Sequence, residues 1–307
     1  MTIPNLPSFV DIHKDVLNAL NCGTPIVALE STIITHGMPF PDNVEMASSV
    51  ETLICNNGVV PATIAVIDGR IKIGLTSGEL TQLAKVKNAL KISRADMAFA
   101  ISQGKTAGTT VAATMIIARM AGIRIFATGG IGGVHRGAET NFDISADLTE
   151  LGKTDVLVVA AGAKAILDVP KTLEVLETQG VPVVGYQTDS LPAFWTRESN
   201  LDVPLRMDST SQISDFMKVR DELNLNSGIL VANPIPEIDE IPAKIINNYI
   251  EKAQAEMENN NISGKQVTPF LLKRIFELSN GSSLISNIAL VKNNAYVAAK
   301  IAKNFYK

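Results

Sequence analysis

The sequence predicts an α/β fold, with helical layers around a largely parallel sheet that contains at least one antiparallel pair. Three observations carry this. Short aliphatic runs such as IVAL (26–29) and DVLVVAAG (155–162) lack polar alternation, the mark of strands buried on both faces. Amphipathic stretches alternate with these runs, as in βαβ units. TIAVIDGRIKIG (63–74) reads as a hairpin, because Asp68-Gly69 is a favoured type I′ turn pair.

The elements follow in chain order. IVAL is the first buried strand. A helix is expected from Asp42, where Asp42 and Glu45 have capping-box spacing and Gly58 sits at the far end. The hairpin comes next, then helices over Ser77 to Val86 and Thr110 to Ala121. IRIFAT (123–128) is a strand and leads into the glycine-rich GGIGGVHRG. DVLVVAAG, a helix over 171–179 and the strand PVVGY (182–186) complete a βαβ-like unit. A helix near 209–223 and the strand ILVAN (229–233) follow, and from about 243 onward the pattern is helical throughout. No internal repeat or low-complexity linker divides the chain, so residues 1–307 read as one domain with a helical C-terminal section.

Composition narrows the function. Hydrophobic residues make up 46% of the 307, which excludes disorder. Two cysteines, Cys22 and Cys55, cannot frame a disulfide scaffold, and they suit a reducing cytoplasm. The longest apolar runs fall far short of the ~20 residues of a membrane-spanning helix. The start, MTIPNLPSFVDIHKDV, has no basic and apolar regions of a secretory signal. Lys and Arg number 27 against 31 Asp and Glu, net −4, so nothing draws the whole chain to nucleic acid. The last 64 residues hold nine basic against four acidic residues, which reads as solvated helix faces. Charged residues are only 19%, below the ~25% of a typical soluble domain. Either the surface is bland or part of it is covered.

Two motifs are decoys. Gly104-Lys105-Thr106 resembles the end of a P-loop, but Phe99 stands where its first glycine belongs. Gly130-Ile131-Gly132-Gly133-Val134-His135 resembles a dinucleotide fingerprint with His135 in place of the third glycine, and no helix pattern opens there. The cysteines and the three histidines show no zinc-ligand spacing.

Other residues carry chemistry. Lys164 sits just past a buried strand, where ligands of open α/β sheets bind. Apolar surroundings disfavour an ammonium ion, and a neutral amine can form a Schiff base; a lysine whose head reaches water is the alternative. Glu30, at the end of IVAL, suits a general acid or base if partly buried, or else a loop-ordering carboxylate. His36 in the same loop is a proton carrier or a satisfied loop histidine. Asp143, Ser145 and Asp147 alternate in FDISADL, as oxygen ligands of a hard cation such as Mg²⁺ or Mn²⁺ do, and equally as a helix cap does. Thr109-Thr110 opens a helix whose free amides can bind phosphate, with Lys91, His135 and Arg136 as matching charge. Together these suggest an enzyme acting on a phosphorylated sugar.

The residues ALESTIITHGMPFP (28–41), GTTVAATMIIA (108–118), FATGGIGGVHRGAETNFDISADLTEL (126–151), AGAKAILD (161–168), PAFW (192–195), VANPIPE (231–237) and SLISNIAL (283–290) closely resemble pseudouridine-5′-phosphate glycosidases. The resemblance runs from about residue 10 to the end. Thr35 and Trp195 depart from the family's usual serine and phenylalanine. The resemblance implies a three-layer α/β/α fold shared with indigoidine synthase A-like proteins, a homotrimer, and one divalent metal per subunit, usually Mn²⁺. It implies reversible conversion of pseudouridine 5′-phosphate and water into uracil and ribose 5-phosphate. By the same resemblance Lys164 is the Schiff-base lysine, Glu30 the proton donor and Asp143 the metal-binding residue. Ser145, Ala146 and Asp147 form a substrate-binding segment. Lys91 and Val111 are further substrate contacts, and Thr110, His135 and Asn287 lie in matching motifs. A Schiff-base aldolase on another sugar phosphate, a pigment-pathway paralogue and a non-catalytic sugar-phosphate sensor are the competing readings.

Overall fold

The computed structural model describes residues 6–262 and 264–307. The first five residues of the segment read above for a signal lie outside them.

The aliphatic runs form the centre of the sheet. The N-terminal part of the chain supplies β1 (Val10–Ile12), α1 (Lys14–Cys22), β2 (Ile26–Leu29), α2 (Asp42–Asn56), β3 (Val60–Ile67), β4 (Arg70–Ile73), α3 (Ser77–Lys85) and β5 (Leu90–Ile92). The middle supplies α4 (Met97–Ser102), β6 (Ala107–Thr109), α5 (Val111–Met120), β7 (Ile125–Ala127), α6 (Ala138–Asn141), α7 (Ala146–Leu151) and β8 (Leu157–Ala160). Then come α8 (Val169–Thr178), β9 (Val183–Tyr186), β10 (Leu205–Met207), α9 (Thr210–Glu222) and β11 (Ile229–Ala232). Three helices follow: α10 (Ala243–Asn259), α11 (Val267–Leu278) and α12 (Ser282–Phe305).

The main sheet runs β3-β2-β7-β8-β11-β9-β10, every pair parallel. Its central strands β2, β7, β8 and β11 are buried along their whole length, as aliphatic strands covered on both faces must be. β3 is long enough to serve two neighbourhoods. Its first half pairs in parallel with β2. Its second half pairs antiparallel with β4 and β6, and β5 and β1 extend that smaller region. The hairpin turns at Asp68 and Gly69, both at positive φ (48° and 75°), as a type I′ turn requires.

Right-handed crossovers explain the layers. The connection β2–α2–β3 and the one through α9 into β11 run one way along the sheet; those through α7 and α8 run the other way. The first two helices therefore cover one face and the second two the opposite face. In agreement, α12 packs on both α2 and α9 and against β2, β7 and β8, while α7 packs on α8 and α5. The fold is thus the expected α/β arrangement with a mixed, mostly parallel sheet and a helical C-terminal section.

One local expectation is corrected. Pro41 occupies the N-cap of α2 and no side chain caps the helix. Asp42 is already helical, so its carboxylate cannot accept the amide three residues on; with Glu45 it instead lies in the first turn, favourably placed for the helix dipole.

Candidate active site

β2 and β7 are neighbours, but the chain leaves β2 in one direction and β7 in the other. Their carboxyl ends therefore flank a topological switch point, the crevice where open α/β sheets bind ligands. Glu30 is the first residue past β2 and Thr128 the first past β7. The Thr128 hydroxyl donates a short hydrogen bond to Glu30 Oε1 across the crevice. Burial pushes the pKa of the Glu30 carboxyl above the ordinary carboxylate value. The charges of Lys164 and Lys91 and the Thr128 bond oppose this rise, and Asp147 adds to it. So Glu30 is built to hold a proton, with the side chains of Lys164 and Lys91 close enough to act on it.

The glycine-rich segment after β7 explains how Lys164 and the acidic loop reach the same place. It runs as an extra strand between them. On one side the Ile131 amide donates to the Gly162 carbonyl at 3.1 Å, and the Lys164 amide donates to the Ile131 carbonyl at 3.1 Å. On the other, Ser145 N donates to the Gly133 carbonyl and His135 N to the Asp143 carbonyl, both at 3.0 Å. Gly132 must lack a side chain, because a Cβ there would meet Ser145 Oγ and lie 2.7 Å from Asp147 Oδ2. The glycines thus serve close backbone approach rather than a dinucleotide.

Asp147 is buried and fully engaged. Its Oδ1 accepts the Ala112 amide at 2.9 Å and its Oδ2 the Gly132 amide at 2.8 Å. Ser145 caps α7, its hydroxyl accepting the Asp147 amide at 3.2 Å. The alternating Asp143, Ser145 and Asp147 are therefore not one cation cage: the serine and second aspartate order the loop. Among the described residues no three His, Cys, Asp or Glu side chains gather as metal ligands. Asp143 faces His135, whose protonation is disfavoured first by burial and then by Lys91 and Lys164, while Asp143 favours it. One carboxylate beside a neutral imidazole fits a hard divalent ion that keeps most of its waters.

Lys91 lies in β5, beside Gly108 of β6. Thr110 caps α5, leaving Val111 as its first helical residue. Ala146 is exposed at the start of α7. Asn287 lies on α12 with its Oδ1 buried and without a hydrogen-bond partner among the described residues, and Val291, one turn on, lines a pocket shared with Glu30 and Thr128. His36 is a satisfied loop histidine: its Nδ1 lies 2.7 Å from Thr35 Oγ1, and burial and the charge of Lys91 disfavour its protonation. It belongs to a π-turn, Ile33–Gly37, of a kind frequent at functional sites.

Sequence reasoning missed Thr128, although it stands beside a strand end next to the glycines. It also missed Asn233 and Asn294. The second carried a signal, being a polar residue on the apolar stripe of α12 that includes Leu290, Val291 and Ala298.

The fold and site define an α/β enzyme that sets a proton-holding carboxylate beside lysine amines and cationic surroundings suited to an anionic substrate. The model of the family described as indigoidine synthase A like protein matches residues 15–304. The pseudouridine-5′-phosphate glycosidase of Dinoroseobacter shibae is 75% identical, covering 97% of this chain and 98% of that protein. The enzyme of the same name from Staphylococcus aureus is 55% identical over 97% of each chain. Among solved structures, the prealnumycin C-glycosynthase AlnA in complex with ribulose 5-phosphate has a TM-score of 0.90 at 37% identity, covering 98% of both chains. An indigoidine synthase A-like protein from Thermotoga maritima has a TM-score of 0.89 at 33% identity over the full length of both. The chain belongs to the indigoidine synthase A like family, and within it to the pseudouridine-5′-phosphate glycosidase group.

Proposed function

We propose that the protein reversibly cleaves the C–C glycosidic bond of pseudouridine 5′-phosphate, taking up water and giving uracil and ribose 5-phosphate. The observation that carries this reading is the convergence of Glu30 and Lys164 at the switch-point crevice, in a chain whose relatives are named for that reaction. Protonating oxygen, as two-carboxylate glycosidases do, cannot make carbon a good leaving group. An amine can help. The Lys164 amine bonds to C1′ as the C1′–O4′ bond breaks, with the Glu30 proton going to O4′. The new ammonium returns a proton to Glu30. The nitrogen lone pair then forms C1′=N as the bond to uracil breaks, and the proton from Glu30 goes to the uracil carbon. Water hydrolyses the iminium and frees the sugar phosphate and the lysine.

In this reading Lys91, the amides opening α5 at Thr110 and Val111, and the Ser145–Asp147 segment hold the phosphorylated sugar. His135 and Asn287 complete the surroundings. Asp143 would hold Mn²⁺ through its carboxylate, and the ion would supply positive charge against substrate oxygens. A homotrimer is part of the same reading. Phe142, Ile144, Ile238 and Ile285 are large apolar residues left exposed on one chain, which supports burial between copies and accounts for the low charge. The cytoplasm is the proposed location, in keeping with the two free cysteines.

Borohydride with substrate should add a ribose 5-phosphate fragment to Lys164, and equal labelling of Lys164→Ala would refute the route. Uracil, ribose 5-phosphate and Mn²⁺ should yield pseudouridine 5′-phosphate. The likeness to a C-glycosynthase favours a second reading, the same bond chemistry run toward synthesis on another acceptor. Turnover with another acceptor and none with uracil would select it.

A further inference from the structure

The Glu30–Thr128 pair is braced from behind. Asn294 Nδ2 donates to the Thr128 carbonyl at 2.8 Å and reaches the Gly129 carbonyl at 3.3 Å. Asn294 Oδ1 accepts from Asn233 Nδ2 at 2.8 Å. Asn233 is itself fixed at the end of β11, where its backbone amide donates to the Ala160 carbonyl at 2.8 Å. Asn294 is 0% and Asn233 3% exposed. A hydrogen-bonded chain therefore runs from the end of β11 through α12 to the end of β7, and from there to Glu30 at the end of β2.

Burying two amides is costly unless their polar atoms are paired, and an aliphatic pair would fill the same space without that demand. Nothing in the packing of α12 calls for polarity here, since its neighbours on the same face are Leu290, Val291, Ala295 and Ala298. What the asparagines add is direction. A side-chain amide bonded to two successive carbonyls fixes the peptide planes at Thr128 and Gly129, and so fixes where the Thr128 hydroxyl points.

We propose that the Asn233–Asn294 pair is a positioning device for the proton donor, holding the Thr128 backbone so that its hydroxyl meets the Glu30 carboxylate in one orientation. The proposal rests on the reading of Glu30 as proton donor. The other charges facing Glu30 are Lys164 and Lys91, which favour its carboxylate, and Asp147, which opposes it. The Thr128 hydroxyl favours the carboxylate as well, so a misdirected hydroxyl leaves Glu30 protonated to higher pH.

The test compares Asn294→Ala, Asn233→Ala, Thr128→Val and the double variant Asn294→Ala/Thr128→Val in the full chain with Mn²⁺. Folding is checked by circular dichroism, ribose 5-phosphate affinity by calorimetry, and kcat for pseudouridine 5′-phosphate across pH. Asn294→Ala should lower kcat by ~10-fold or more, with affinity within about threefold, and should move the alkaline limb of the kcat profile up by about half a pH unit. Thr128→Val should do the same, and the double variant should be no worse than Thr128→Val, because both changes remove one interaction. If Asn294→Ala does not fold, Asn233→Ala must show the same limb movement. A fall in kcat with the profile unmoved, or losses that multiply in the double variant, overturns the proposal. Glu30→Gln separates the two ideas: if it keeps wild-type activity, the proton-donor reading itself fails.

Discussion

Arg94 forks onto Glu150: Nε lies 2.7 Å from Oε2 and Nη2 lies 2.8 Å from Oε1, with the carboxylate 1% exposed and the guanidinium 54%. The Thr154 hydroxyl donates to the same carboxylate. The pair ties the residues just past β5, the strand of Lys91, to α7, the helix that Ser145 caps.

Removing the exposed partner should cost more than removing the buried one, because it is the buried charge that is then left unpaired. Arg94→Ala leaves the Glu150 carboxylate, 1% exposed, with Thr154 alone to pair it, and should destabilise the fold by about 3 kcal/mol. Glu150→Ala leaves a guanidinium that is 54% exposed and can turn to water, and should cost about 1 kcal/mol. Urea denaturation of both variants checks the order. Glu150→Ala should also raise KM more than it lowers kcat.

Glu30 links stability to pH with a definite sign. Its folded value lies above the ordinary 4.5, so the native state holds this proton longer than the unfolded chain. Its contribution to stability is whole below the ordinary carboxylate range and is lost as pH rises from there through the raised folded value. Glu30→Gln stays neutral throughout. Its melting temperature should exceed that of the wild type by ~2 °C at pH 8 and match it near pH 4, while activity is lost at both. Equal melting differences at the two pH values would count against the buried-proton account.

Gly132→Ala would drive a methyl group into Ser145 and Asp147. Overpacking at a close backbone approach costs on the order of 1–3 kcal/mol. The damage should appear first in substrate binding, because the displaced groups order the loop that is proposed to hold the sugar phosphate. A KM increase of tenfold or more, with the far-ultraviolet spectrum unchanged, is the expected outcome.

Asp143→Asn should leave metal-free stability within about 0.5 kcal/mol, since the residue is half-exposed and its side chain is hydrogen-bonded to no buried group among the described residues. Mn²⁺ should raise the melting temperature of the wild type and not that of the variant. A variant stabilised by Mn²⁺ as strongly as the wild type would place the ion elsewhere.

Much of the fold was readable because burial on both faces leaves a plain signature. IVAL, LVVA within DVLVVAAG and ILVA are continuous aliphatic runs, and each is a central strand. Strands β5 and β6 have three residues each, too few to show alternation, and Gly108 inside β6 argues against a strand until its partner β3 is known. Glu30 and Lys164 were visible as chemistry-bearing residues at strand ends. Their meeting was not visible in the spacing, because it depends on strand order: β7 lies between β2 and β8. The roles of Ser145 and Asp147 in ordering the loop were also hidden. The amides that Asp147 accepts belong to Ala112 and Gly132, 35 and 15 residues away.

The brace on Thr128 spans 166 residues, from the end of β7 to the last helix described. Chains are synthesised from the N-terminus, so all eleven strands leave the ribosome before Asn294 exists. A nascent chain halted before Ser282 would carry Glu30, Lys91, Asp143 and Lys164, and would lack the segment that fixes the first of them. The order of synthesis therefore withholds the assembled crevice until α12 has been made.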